Sequence, residues 1–105
     1  MSKLSVIAGK SSEDVARKLS RKIKANFVKS QVRVFEDGES KITLSGKISK
    51  RKSIVVQSIY PPVDTNLIQA LSLISKAKET SSEVIAVIPY MGYARQDREF
   101  LPGEI

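Results

Sequence analysis

Val84-Ile85-Ala86-Val87-Ile88, closed by Pro89, is the stretch on which the fold turns. Such a run is short for a helix, and a strand without polar alternation is the kind covered on both faces, as in a parallel sheet with helices on each side. A parallel sheet needs a crossover, usually a helix, between neighbouring strands, so the upstream residues are the next thing to read. There Leu67, Ala70, Leu71, Ile74 and Ala77 form one apolar stripe at helical spacing, with Asp64 as the expected cap and Lys76, Lys78 and Glu79 ending the segment on a solvated side. Before it, residues 53–57 are another apolar strand. Tyr60, Pro61, Pro62 and Val63 form the loop between them, because proline neither continues a helix nor sits in a central strand.

A strand and a helix also come first in the chain, with no internal repeat. Leu4 to Ala8 is a short apolar strand bounded by Gly9. A helix follows, capped by Ser11 or Ser12, with Glu13 and Asp14 in its first turn, Val15, Leu19 and Ile23 on one face, and Lys18, Arg21, Lys22 and Lys24 at its far end. Residues 31–35 alternate, as does the stretch carrying Ile42 and Leu44, and Asp37-Gly38 joins them as a tight hairpin. Residues 45–52 are a basic turn. The order predicts an α/β fold, a mostly parallel sheet flanked by helices, doubly wound, with a projecting hairpin. Ligands of such folds collect at the carboxyl ends of the strands, which here means residues 9–12, 58–64 and 90–105.

With 105 residues the chain is at most one small domain. It has no Cys and no His, which removes disulfides, thiolate nucleophiles, zinc sites built of these residues and Ser-His-Asp triads. Carboxylates, Arg, Lys, Tyr and hydroxyls remain, and the metal to expect is a hard one such as magnesium. The formal charge of +7 favours anionic partners, either nucleic acid or phosphorylated small molecules. No segment approaches the roughly 20 apolar residues of a membrane span, and the chain reads as soluble and cytoplasmic.

Gly9-Lys10-Ser11 imitates the end of a Walker A loop, but its first glycine falls on Leu4, so the segment is an ordinary strand-to-helix turn. Phe35-Glu36-Asp37-Gly38-Glu39 suits a hairpin turn, with glycine at positive φ; an aromatic ring beside acids on a projecting loop also suits a nucleobase clamp. Arg95, Gln96, Asp97 and Arg98 lie where α/β proteins bind anions, and the planar guanidinium fits phosphate bidentately.

Three segments carry a resemblance: V-I-P-Y-M-G-Y-A-R-Q-D-R at 87–98, F-E-D-G-E at 35–39, and V-V-Q-S at 55–58 followed by Asn66-Leu67. Together they resemble ribose-phosphate pyrophosphokinase, also called phosphoribosyl pyrophosphate synthetase, in its order and at its spacing. The resemblance implies an N-terminal domain of phosphoribosyltransferase type over residues 1–105, the family's C-terminal domain being absent. It also implies transfer of the diphosphoryl group of ATP to the C1 hydroxyl of ribose 5-phosphate, giving phosphoribosyl pyrophosphate and AMP, with Mg2+. By the same resemblance Arg95, Gln96 and Asp97 contact ATP, while Phe35, Asp37 and Glu39 reach the adenine from a neighbouring subunit of a homo-oligomer. No catalytic or metal-binding residue of the family falls within this chain, which alone is expected to be inactive. Met91 stands where Phe is common and Glu99 where a basic residue is frequent; neither touches the Arg95-Gln96-Asp97 core. One alternative is a catalytically inactive regulatory homologue that assembles with the active enzyme. A less favoured one is a nucleic-acid module built on Lys47, Lys50, Arg51 and Lys52, a basic turn that is usually only a solvated surface.

Overall fold

Strand β1, Leu4–Ala8, lies at the centre, and its Val6, Ile7 and Ala8 are buried. The computed structural model describes residues 3–94 and 101–103. A short 3-10 turn, Lys10–Ser12, leads into helix α1, Glu13–Lys22. Strands β2, Asn26–Val34, and β3, Ser40–Ser45, form the hairpin; β4, Lys52–Val56, helix α2, Val63–Thr80, and β5, Glu83–Val87, complete the order. The sheet runs β3-β2-β1-β4-β5, with β2, β4 and β5 each joined in parallel pairs through β1 or β4, and β3 antiparallel to β2. This is the predicted mostly parallel α/β sheet.

Side chains alternate across a strand, and the alternation builds two cores. On one face Ile7, Val28 and Val55 pack with Leu73 and Ala77 of α2. On the other, Val6, Ala8 and Val56 pack with Ala16 of α1. The hairpin projects for a simple reason of register: β1 ends where Ala8 pairs Lys29, while β2 continues to Val34 with β3 as its partner. Residues 26–30 also belong to β2, although the alternating pattern marks only 31–35; the polar Asn26, Lys29 and Ser30 conceal the strand's first half, in which Ser30 is buried and donates to the Ala8 carbonyl at 2.6 Å.

Three expectations are corrected. Helix α1 turns Ala16 and Ser20 inward and leaves Val15 half exposed, because small residues let the helix lie close to the strands. Helix α2 begins at Val63, one residue before Asp64, which occupies the first turn without capping it; the helix buries Asn66, Gln69, Ala70, Leu73 and Ala77 and exposes Leu71. Strand β5 is an edge strand with Ile85, Ala86 and Val87 exposed, so it is not covered on both faces among the described residues.

At the amino end of the sheet four buried serines close a circuit. Ser81 Oγ donates to the Ser49 carbonyl, which can only accept. With its proton so placed, Ser81 accepts from Ser53 at 2.6 Å, and Ser53 in turn accepts from Ser5 at 2.6 Å. Ser5 accepts the amide N–H of Ser49 at 3.1 Å, so the circuit returns to the residue on which it ended. Ser53→Ala leaves a buried donor and a buried acceptor without partners, and is expected to cost about 1–3 kcal/mol in urea denaturation. A loss under about 0.5 kcal/mol, the range of an ordinary surface change, would refute the closed circuit.

Candidate functional site at the carboxyl end of the sheet

Because β1, β4 and β5 are parallel, the residues after Ala8, Val56 and Val87 emerge along one edge. The strand pairing continues into these loops. The Gly9 amide donates to the Val56 carbonyl at 2.7 Å, Gln57 N–H to the Val87 carbonyl at 3.1 Å, and Ile59 N–H to the Tyr90 carbonyl at 2.8 Å. The described starts of the three loops expected from the sequence, at Gly9, Gln57 to Ile59 and Tyr90, therefore lie side by side.

Gln57, only 1% exposed, sits among them. Its Oε1 accepts from the Ser11 amide at 3.3 Å and faces Ser11 Oγ at 2.7 Å; its Nε2 donates toward the Asn66 carbonyl at 3.3 Å and Asn66 Oδ1 at 3.5 Å. Asn66 Nδ2 donates to the Tyr60 carbonyl at 2.6 Å. Ser12, expected as a possible helix cap, makes no capping bond; its Oγ accepts the Ser58 amide at 2.9 Å, and Ser11 Oγ also reaches the Ser58 carbonyl at 2.9 Å. A Cβ on Gly9 would fall 1.9 Å from Gln57 Oε1, so this close approach requires glycine. The rings of Tyr60 and Tyr90 meet edge to face with centroids 5.6 Å apart. Beside them a cavity of about 400 Å³ is lined by Pro61, Val63, Tyr90, Met91, Gly92 and Tyr93.

The second group of expected residues lies on the hairpin. Phe35 N–H donates to the Glu39 carbonyl at 2.8 Å and Gly38 N–H to the Phe35 carbonyl at 2.9 Å, with Gly38 at φ 92°, a three-residue loop of type I turn and glycine bulge. Asp37 Oδ1 accepts the Glu39 amide at 3.0 Å, so this carboxylate braces the turn. Phe35 is 40% exposed, with the Arg33 guanidinium 5.3 Å from its ring centroid. Glu39 lines a groove of about 490 Å³ opposite Asp64, Thr65 and Gln69 of α2, and Phe35 and Asp37 are not part of that lining. No hairpin residue lines the cavity at Tyr90. Arg95, Gln96 and Asp97 lie outside the described residues. The basic turn is at the other end of the sheet, just before β4 begins at Lys52, whose ammonium is 3.7 Å from Glu83.

Sequence reasoning gave Gln57 and Asn66 no role beyond their part in the resemblance. The available signal was a glutamine directly after an apolar strand and a polar residue on the inward face of a helix. Among the described residues there is no group of three or more Asp or Glu placed to hold a metal ion. No helix among them is long and apolar enough to cross a membrane.

Residues 4–104 match the family model described as the N-terminal domain of ribose phosphate pyrophosphokinase. The chain belongs to that family. Similar proteins include the ribose-phosphate pyrophosphokinases of Sulfurisphaera tokodaii, 35% identical over 94% of this chain and 34% of the relative, and of Rhodopirellula baltica, 39% identical over 94% of this chain and 32% of the relative. The crystal structure of phosphoribosylpyrophosphate synthetase from Mycobacterium smegmatis has the same fold, with a TM-score of 0.80 at 24% identity over 93% of this chain and 33% of that one. The chain thus spans about a third of the length of the ribose-phosphate pyrophosphokinases it matches. The Gly9 contact gives a direct check within this domain: Gly9→Ala must displace the Gln57 amide and is expected to cost about 1–3 kcal/mol. An unchanged urea midpoint would mean that the approach of Gly9 to Gln57 is not a constraint.

Proposed function

We propose that this chain is the N-terminal domain of an enzyme that transfers the diphosphoryl group of ATP to the C1 hydroxyl of ribose 5-phosphate, giving phosphoribosyl pyrophosphate and AMP. The match of residues 4–104 to the family's N-terminal domain carries the reading. The row of loops at the carboxyl ends of three parallel strands supports it, since α/β folds bind their ligands there. In this reading Arg95, Gln96 and Asp97, directly after the Tyr90 loop, contact ATP, and the guanidinium of Arg95 stabilises phosphate charge. Phe35 stacks on the adenine of another subunit, with Asp37 and Glu39 beside it. Support for that division comes from the register, which carries the hairpin beyond the end of β1 and leaves Phe35 exposed at its tip. The reading includes a cytoplasmic homo-oligomer and magnesium.

Alone, the chain is expected to form no AMP from ATP and ribose 5-phosphate in the presence of magnesium. A chimera in which it replaces the matching 32% of the Rhodopirellula baltica enzyme is expected to form AMP and phosphoribosyl pyrophosphate together. AMP from the isolated chain above a boiled control refutes its inactivity, and a folded but inert chimera favours the regulatory homologue. In the active chimera Arg95→Ala is expected to remove roughly 2–4 kcal/mol of transition-state stabilisation, measured as kcat/KM.

The shared site has its own test. Phe35→Ala is expected to cost about 1–3 kcal/mol, the scale of one lost stacking ring. Oligomers assembled from Phe35→Ala and Arg95→Ala chimeras contain some interfaces with both groups intact, so they are expected to exceed the average activity of the two variants. Verified mixed oligomers that only match that average would return Phe35 to its own subunit or to the hairpin alone.

A further inference from the structure

We infer that Gln57 is a positioning residue that holds the loop after β1 and the first turn of α2 in one fixed relation, so that a change at either is felt at the other. The orientation of its amide is decided by its neighbours. The Ser11 main-chain N–H can only donate and so faces Oε1, at 3.3 Å; the Asn66 main-chain carbonyl can only accept and so faces Nε2, at 3.3 Å. At 1% exposure the Gln57 side chain is shielded from bulk solvent. No other residue type of this size both accepts and donates at these two places: a carboxylate loses the donor, and a hydrocarbon loses both. The link continues from Asn66 Nδ2 to the Tyr60 carbonyl, so two side chains, Gln57 and Asn66, connect Ser11 to α2 and to the loop after β4. The absent Cβ of Gly9 makes room for the bridge. As a statement about a ligand site, this rests on the reading of the carboxyl-end loops as the rim of a nucleotide site.

The test uses NMR amide maps of the chain without nucleotide, so its failure is separate from failure of the diphosphoryl-transfer reading, which AMP formation decides. Gln57→Glu keeps the acceptor for Ser11 but turns a carboxylate oxygen toward the two oxygens of Asn66. At neutral pH the amides of Tyr60 and Asn66 are expected to shift while that of Ser11 stays near its original position. On acidification the new carboxyl group, its pKa raised by burial and by the facing oxygens, gains a proton, donates to Asn66 and brings Tyr60 and Asn66 back. Amides of Ser49, Ser53 and Ser81, at the opposite end of the sheet, are expected to stay fixed throughout, which general destabilisation would not permit. Ser11→Ala, at an exposed position, supplies a variant that does not burden folding; its shifts are expected to reach Asn66 and Tyr60 through Gln57. Shifts confined to residues 9–14 in Ser11→Ala, or an acid titration of Gln57→Glu that leaves Asn66 displaced, overturn the inference. A Gln57→Glu chain unfolded at every pH leaves the decision to Ser11→Ala.

Discussion

An atom at the Cβ position of Gly9 would lie 1.9 Å from Gln57 Oε1, and that missing atom is the constraint from which the site end of the molecule follows. Without a side chain, Gly9 continues the pairing of β1 with β4 for one more bond, to the Val56 carbonyl. The chain can then bend directly into the 3-10 turn, so that Ser11 meets the glutamine amide and Ser12 meets the Ser58 amide. A larger residue would push the loop after β1 away from the loop after β4 and separate groups that now meet at hydrogen-bonding distance. The position of α1 depends on the same turn, and Ala16 and Ser20 let it settle close to the strands once the turn has set its start.

The two helices serve different ends. Helix α1 seals one face of the sheet with small side chains, whereas α2 covers the other and also presents polar groups at its start. Asn66 and Gln69 are buried there because the first turn of α2 abuts the carboxyl-end loops and the groove below the hairpin, where hydrogen bonds satisfy them or a polar lining accepts them. Leu73 and Ala77, further along, pack into the apolar cluster of Ile7, Val28 and Val55. One helix face thus changes from polar to apolar along its length. A hydropathy stripe averages over that change and so points in a slightly wrong direction.

Much of the architecture was legible for a physical reason: apolar strands of four to six residues separated by helical stripes have few arrangements that bury them, and the parallel sheet is one. Asp37-Gly38 identified its hairpin because glycine at positive φ is a local requirement. What escaped was decided by tertiary partners. Ser30 and Ser53 look like surface residues until the carbonyl or hydroxyl that each meets in the interior is known. Asp64 looked like a cap, yet the helix starts one residue earlier. The apolar run at 84–88 announced a strand correctly, but the composition of a strand cannot say whether it lies at the centre of the sheet or at its edge. Phe35, Asp37 and Glu39 were placed on the right hairpin, whereas Gln57 and Asn66 were seen only as parts of a resemblance, because the significance of an amide lies in which oxygen and which N–H it faces.

The serine circuit and the glutamine bridge share a property that reaches the solution behaviour of the whole domain. Every buried polar side chain among the described residues is a hydroxyl or an amide: serines, Gln57, Asn66 and Gln69. None of these gains or loses a net proton over the ordinary pH range, so these buried side chains add no difference in proton uptake between folded and unfolded chains. The chain carries a formal net charge of +7, and no charged side chain among the described residues is buried, so repulsion among them falls with ionic strength over a Debye length of roughly 8–10 Å. Acidity therefore acts on the described part of this domain through its exposed charges, and dissolved salt screens the same repulsion.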